Sequence, residues 1–441
     1  MNNSTMPLGE KIREIRKAKG LSVENMAQAV GSFKANISRL ERGIADITPA
    51  MLTGIKKFLE IETAPLLEHE LQLYRNRIWV WNDLLHHNRV AEARAMQSEM
   101  AVIMNLPFEY DLYMLYLVTE VWLLCKEYNF PAAGDKLKAV EGLLDNVDNT
   151  SDEALNLYHR SKGLLYLCAG DKNNCINHSL RALDYAEKCR KADTSALFNL
   201  GQAYCAMNKP CQSIIYMERA KALFQGGPSH ITVGHMNTVL AMCYKNIGEY
   251  SIARKLYESA LAQARSVNNE STIGMTLTNM SALSLAKGDY EEGISLCDQA
   301  EIYVKQNSVA YANSLAIKAM CLLSLAKLDK CREVLTLATT MLEEANQGAL
   351  TILIGSKDVA LHLEAIGHLT TLDNSDSVKY ILDVAIPHLR AGGMTKFNAI
   401  GLCNRLEAHF IKRRAKTKAN AVAAIARDIY REVFLEEVVV E

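Results

Sequence analysis

The stretch Leu240 to Leu261, LAMCYKNIGEYSIARKLYESAL, constrains the fold more than any other in the chain. Apolar residues fall three or four apart on either side of Ile247-Gly248-Glu249, so it reads as two amphipathic helices joined by a tight turn. Small residues at Ala241, Ala253 and Ala260 let the helices approach closely. Bulky Leu240, Tyr244, Tyr250 and Tyr257 fill the space between them. One such hairpin cannot bury its apolar face alone, so the pattern must recur.

It does recur, at steps of about 40 residues. Downstream, Gly288 and Tyr290 repeat Gly248 and Tyr250. Ala326-Lys327 then echoes Ala286-Lys287, with Leu328 and Lys330 in place of Gly and Tyr. Upstream, Gly201, Tyr204, Asn208 and Ala220 keep the register, as do Gly163, Tyr166, Gly170 and Ala182. Fainter copies centre on Tyr128, with Ala133, and on Asn88, with Ala93. This order of small residue, aromatic, Gly, Tyr and Ala resembles the tetratricopeptide (TPR) repeat, though the step exceeds its usual 34 residues. Seven hairpins and a degenerate eighth near 355–390 are expected. The fold class is all-α: an N-terminal helix-turn-helix domain, then a right-handed TPR solenoid with a C-terminal capping helix.

The head is expected at residues 1–61. Leu8 to Lys19 is a basic amphipathic helix stopped at Gly20, and Ser22 caps a second helix over Val23 to Val30. Gly31-Ser32 turns the chain into a third helix, from about Phe33 to Arg42, with Gly43 as its stop. Thr48-Pro49 opens a fourth, ending near Leu59. Helix, glycine turn, helix is helix-turn-helix geometry. The segments Ser22-Val23-Glu24-Asn25-Met26-Ala27 and Gly31 to Gly43, with its ISRLERG core, resemble the Xre/Cro/CI repressor family. That resemblance implies base-reading positions at Lys34, Ala35 and Arg39, with Asn36, Ser38 and Arg42 nearer the phosphates. It also implies a structural pair, Arg16 with Glu41, holding the third helix to the first. Two residues depart from the family pattern: Val23 stands where Gln is usual, and Phe33 where Ser is usual.

The whole chain is nearly neutral, with 49 Lys and Arg against 50 Asp and Glu, so nucleic-acid contact must be local. The head carries a surplus of about four positive charges, counting Lys11, Arg16 and Lys56 among its cations. One head makes few phosphate contacts, and two on a homodimer reading half-sites of a double-stranded operator are expected.

Residues 62–70 are the expected linker, with a hinge within Ile61 to His69. The TPR domain follows over 71–395, and closing helices over 396–441. The inner helix of each hairpin lines a groove suited to an extended peptide, because side-chain amides bond a backbone without demanding a sequence. TPR register puts Asn199 and Asn279 on that face, two repeats apart. Between them lie His235, Thr238, Met242, Lys245 and Asn246, with Gln202, Lys318 and Arg160 in similar places. A Xre-type head followed by long TPR repeats resembles the peptide-pheromone-responsive RRNPP regulators of Gram-positive bacteria, NprR- and PlcR-like in layout. The resemblance implies a cytoplasmic homodimer engaged in quorum sensing, whose groove takes a short signalling peptide and whose heads respond. The competing expectation is a protein-binding module that sequesters or dephosphorylates a response regulator, with Glu92, Gln97 and Glu99 in the relevant region.

Past residue 368 the register fades, with Asp373 to Asp376 as a loop and Gly392-Gly393 as a break. Asn398 to Ile411 is a helix, the basic run Lys412, Arg413, Arg414, Lys416 and Lys418 reads as its solvated end in preference to a second nucleic-acid patch, and Ala419 to Val433 is the capping helix. No P-loop, nucleophile elbow or HExxH site is present, and adjacent His86-His87 make a poor metal pair. Neither an enzyme nor a cofactor is expected. The longest apolar region, Leu112 to Cys125, carries Thr119 and Glu120 and is too short to cross a bilayer. The polar start of the chain is no signal peptide. Eleven cysteines without a CxxC pair suit a reducing compartment.

Overall fold

The computed structural model describes residues 6–62, 64–101, 110–144, 150–224, 230–304, 308–344, 356–391 and 395–434. The Gly392-Gly393 break and the tail beyond Phe434 lie outside them. Among the described residues the secondary structure is helical throughout, and the fold is a helix-turn-helix head followed by a helical-repeat solenoid.

The head comprises α1 (Leu8–Ala18), α2 (Val23–Ala29), α3 (Lys34–Glu41) and α4 (Pro49–Phe58). Side-chain oxygens cap two of these: Ser22 Oγ accepts from the amide of Asn25 at 3.0 Å, and Thr48 Oγ1 from that of Met51 at 3.3 Å. Each satisfies an amide the helix start leaves without an intrahelical acceptor. Gly20, Gly31 and Gly43 take positive φ at the three turns, where a Cβ would strain the chain.

The repeats follow as antiparallel pairs: α5 (Glu68–His86) with α6 (Val90–Met100), then α7 (Tyr110–Lys126) with α8 (Phe130–Leu144). After α9 (Asp152–Cys168) and α10 (Lys172–Lys188) come α11 (Thr194–Ala206) and α12 (Pro210–Leu223). The series continues with α13 (His230–Asn246), α14 (Tyr250–Ser266), α15 (Glu270–Lys287), α16 (Tyr290–Val304), α17 (Ser308–Ser324) and α18 (Leu328–Glu344). Seven turns close these hairpins, at Asn88, Tyr128, Gly170, Asn208, Gly248, Gly288 and Ala326, the positions where the sequence repeats. All seven have positive φ, from 58° to 89°. Each is followed by the same capping bond, seen in Glu249 N donating to Tyr244 O and Arg89 N to Leu84 O. The left-handed turn residue is thus the invariant of the array, whatever side chain it carries.

Tight packing explains the small residues. Ala241, Ala253, Tyr257 and Ala260 are wholly buried. A Cβ on Gly201 would sit 2.6 Å from Met217 Cγ, and one on Gly293 would sit 2.8 Å from Cys321 Sγ. The eleven cysteines are all free, and most are buried as small apolar residues.

The chain divides into two compact units, Met1–Leu165 with Arg181–Ala192, and Tyr166–Leu180 with Asp193–Glu441. In the first unit, one apolar cluster runs from Ile12 in α1 through Ile61, Ala64 and Leu66 to Trp81 and Tyr116. This corrects the expectation of a hinge at Ile61 to His69. Glu70 Oε2 accepts from the amides of Leu66 and Leu67 at 2.8 and 3.0 Å, while Lys56 Nζ reaches the same carboxylate. Lys11 Nζ donates to Leu66 O at 3.4 Å. Ile61, Ala64, Pro65 and Leu66 are buried, while Glu62, Glu68 and His69 stay exposed.

In the second unit the repeats end in α19 (Ser356–Leu369), α20 (Ser375–Tyr380), α21 (Ile386–Ala391), α22 (Lys396–Lys412) and α23 (Lys416–Phe434). The expected eighth hairpin survives as α19 against a broken partner. Between α20 and α21, Ile381–Ala385 is a π-helix, where Ile386 N bonds Ile381 O. Pro387 follows at once; its ring would crowd the carbonyl four residues back, and the wider turn relieves that clash. The long α22 and α23 pack together at the end of the array.

Candidate nucleic-acid interface and repeat face

The third helix is held from behind. Arg16 Nε and Nη2 bond Glu41 Oε1 and Oε2 at 2.6 and 2.9 Å, and Nη1 bonds Leu21 O at 2.7 Å. Both side chains are below a tenth exposed. The Glu41 hydrogen bond outweighs burial and raises the Arg16 pKa. The crossing of α1 and α3 is equally tight: a Cβ on Gly9 would lie 1.8 Å from Leu40 O. Ile37 and Leu40 turn inward.

What remains outward on α3 is Lys34, Ala35, Asn36 and Arg39, all exposed, with Ser38 half-buried and Arg42 exposed at the helix end. Arg42 Nε donates to Ser38 O at 3.1 Å. Lys34 pairs with Glu24 of α2, and that hydrogen bond is the first cause holding the Glu24 carboxyl below its usual value. These are donors and a small apolar side chain on one helix, a set that matches major-groove acceptors and phosphate oxygens. Val23, at the position where Gln is usual, packs against the head core. The cationic surplus is smaller at the surface than in the sequence. Lys11 and Arg16 are buried, and Lys56 is tied to Glu70.

On the repeats, α11 packs against α13, α13 against α15, and α15 against α17, so these inner helices form a continuous row within the second unit. His235, Thr238, Met242, Lys245 and Asn246 fall on one side of α13 by their spacing. Asn199 is buried on α11, and Asn279 half-buried on α15, with Gln202 half-buried beside Asn199. Several of these groups are already engaged. Thr238 Oγ1 donates back to Gly234 O at 3.0 Å, His235 Nε2 meets Thr272 Oγ1 at 3.4 Å, and Asn246 Nδ2 bonds Asn208 Oδ1 at 3.3 Å. Lys318 pairs with Asp298 at 2.5 Å. Lys245 lies against Cys205 and Cys243, and burial lowers its pKa.

Arg160 is the exception among the expected groove residues. It belongs to the first unit, where its guanidinium stacks over Trp122 at 4.0 Å and donates to Asn82 Oδ1 at 2.6 Å. An aromatic partner and a buried amide make it part of that unit's interior. Sequence spacing missed a set of polar atoms around α13 and α14. Asn237 Oδ1, Tyr257 OH, Gln263 Oε1 and Thr278 Oγ1 are buried without a hydrogen-bond partner among the described residues. Such atoms are costly and mark places where a ligand or water would be bound. Their signal was an amide, Asn237, within an apolar helix.

Glu92, Gln97 and Glu99 all have intramolecular partners: Arg89, Tyr116 with Glu120, and Arg77 respectively. The basic C-terminal run is partly neutralised by the Arg413–Asp373 pair. No group of described residues could hold a metal ion, and no helix among them is long and apolar enough to cross a membrane.

Residues 7–68 match a helix-turn-helix domain family. Over 200 residues the chain is 26% identical to the transcriptional activator NprA of Geobacillus stearothermophilus, covering 43% of this chain and 47% of that one. It thus spans about half the length of this curated relative. The quorum sensor NprR of B. thuringiensis in its apo form superposes with a TM-score of 0.65 at 17% identity, over 81% of this chain and 99% of that one. A Rap protein complexed with competence and sporulation factor gives 0.67 at 14%, over 82% and 99%. NprR in complex with its cognate peptide NprX gives 0.61 at 17%, over 81% and 99%. The chain shares its helical-repeat fold with these NprR and Rap structures and carries a helix-turn-helix head. Within this fold the head is anchored by Arg16–Glu41, and the inner helices α11 to α17 present the residues set out above.

Proposed function

We propose that the chain is a DNA-binding transcriptional regulator whose repeats bind a short signalling peptide. Peptide binding changes dimer geometry and so operator affinity. Residues 1–61 serve as the reading head, 62–70 as the connection, 71–395 as the peptide-binding repeats and 396–441 as their closing helices. One observation carries the reading: α3 presents Lys34, Ala35, Asn36 and Arg39 outward while Glu41, on its other side, is clamped to α1. A helix so fixed loses little freedom on docking into a groove, and its outward donors suit base edges. The fold likeness to NprR with its peptide supports the second half. The site is a cytoplasmic one, and the partner copy a second chain of the same kind.

A ligand shifts such a system only by its differential affinity for two arrangements. In the first unit, Lys56 of α4 and the amides of Leu66 and Leu67 all bond Glu70 of α5, which couples α5 directly to α4.

The alternative, a module that sequesters or dephosphorylates a response regulator, draws on the Rap likeness in fold. The internal partners of Glu92, Gln97 and Glu99 weigh against it.

The test uses the full chain and its own upstream DNA in a footprinting titration, with and without synthetic peptides from neighbouring short reading frames. Arg39→Ala should weaken operator binding by about 1–3 kcal/mol if it reads a base. Asn199→Ala and Asn279→Ala should abolish a peptide-induced rise in melting temperature while leaving peptide-free DNA binding intact. Unchanged footprints for Arg39→Ala would remove it from the interface, and a normal peptide response in both Asn variants would reject the amide clamp.

A further inference from the structure

Phe33 is placed at a cost that α2 and α4 of the same head avoid. It is the N-cap of α3, with φ −98° and ψ 148°, and its side chain makes no capping bond. In the same head, Ser22 and Thr48 cap α2 and α4 with side-chain oxygens. A Ser at position 33 would supply the missing acceptor and stabilise the helix start. Nor does the ring repay that loss by burial: it is 80% exposed, while Ile37 and Leu40 fill the space beneath α3. The ring therefore stands free at the leading end of the proposed reading helix, next to exposed Lys34, Ala35 and Asn36. Ala35 is small, which leaves room for the ring to reach a surface approached by the helix.

We propose that Phe33 is a specificity residue that packs against the C5-methyl group of a thymine in the operator's major groove. The inference rests on the DNA-binding reading above. The chemistry is selective: among the four bases only thymine presents a methyl group in that groove, and aromatic or small apolar side chains are its natural partners. The exposed cations Lys34 and Arg39 along α3 and Arg42 at its end favour a phosphate-lined occupant over a second copy of this neutral chain. The residue that departs from the family pattern thus becomes the source of a thymine requirement that Ser could not impose.

The experiment begins with duplexes enriched from a random library by the full-length protein. Each thymine in the winning sequence is then replaced singly by deoxyuridine, which deletes only the methyl group. At one position per half-site, deoxyuridine should weaken the wild type about three- to tenfold, the range expected for one methyl group leaving an apolar contact. Phe33→Ser should bind the thymine duplex as weakly as the wild type binds the deoxyuridine duplex, and should be indifferent to the replacement. Its melting temperature should equal or exceed that of the wild type, because Ser can cap α3. Three outcomes overturn the proposal: no thymine position sensitive to deoxyuridine, a Phe33→Ser loss that is uniform across all duplexes, or a Phe33→Ser change confined to the dimer fraction in sedimentation. Failure to enrich any duplex with the wild type would instead sink the DNA-binding reading, and the Phe33 proposal with it.

Discussion

Glu41→Ala is the sharpest probe of how the head is held. It would leave the Arg16 guanidinium, whose side chain is 9% exposed, with Leu21 O as its one remaining bond of the three described. Breaking a buried pair by removing one partner costs about 3–5 kcal/mol, because the surviving charge stays desolvated. A unit of this size has a net stability on the order of 10 kcal/mol, so the loss is a large fraction of it. All three tryptophans, Trp79, Trp81 and Trp122, lie in the first unit, so their fluorescence reports its unfolding. With a urea slope of about 2 kcal/mol/M, the midpoint should fall by roughly 1.5–2.5 M. Glu41→Gln keeps one acceptor oxygen and should lose less. The double variant Arg16→Met with Glu41→Leu should recover most of the loss, since an apolar pair of similar volume removes both charges from the interior. If both single variants shifted the midpoint by less than 0.3 M, and the double were their sum, the pair would not be desolvated and the anchoring argument would fail.

Gly9→Ala should be as severe by another route. Its Cβ would meet Leu40 O at 1.8 Å, and backbone cannot yield, so α1 and α3 must separate at a cost of about 3 kcal/mol or more; loss of both operator binding and amide protection in α3 is the expected result. Ala326→Gly should stabilise the second unit by about 1 kcal/mol, because the turn sits at φ +58°, and Gly248→Ala at φ +87° should destabilise by a similar amount; calorimetric melting temperatures of the two variants should move in opposite directions. Burial, with the nearby Arg160 charge, pushes His86 down to about 3, and burial alone pushes His362 down to about 4, from an unfolded value near 6.5. Both stay neutral in the folded chain while the unfolded chain takes up protons. Stability is therefore complete above pH 6.5 and should fall by about 1 kcal/mol per pH unit per histidine as pH drops toward 4, with His86→Asn flattening the slope seen by tryptophan fluorescence.

The repeat architecture was legible in the sequence because it is written in local rules. Spacing of apolar residues, a small residue at each close approach and a left-handed turn at each hairpin tip are properties of a few neighbouring residues. They hold at Tyr128 and Ala326, where the residue type gives no hint of the turn. The head was legible for the same reason, through Ser22, Gly31, Ile37, Leu40 and Gly43. Side chains whose state depends on distant partners were not. Lys11 reads as a surface cation until Leu66, 55 residues away, supplies its acceptor. Arg160 reads as a groove residue until Trp122 and Asn82 claim it. The Ile61 to His69 segment reads as a hinge until Glu70 and Lys56 close on it. Local sequence determined which residues form helices and where the chain turns. Only the tertiary structure decided which polar groups face outward, because desolvation and pairing depend on what the rest of the chain brings within bonding distance.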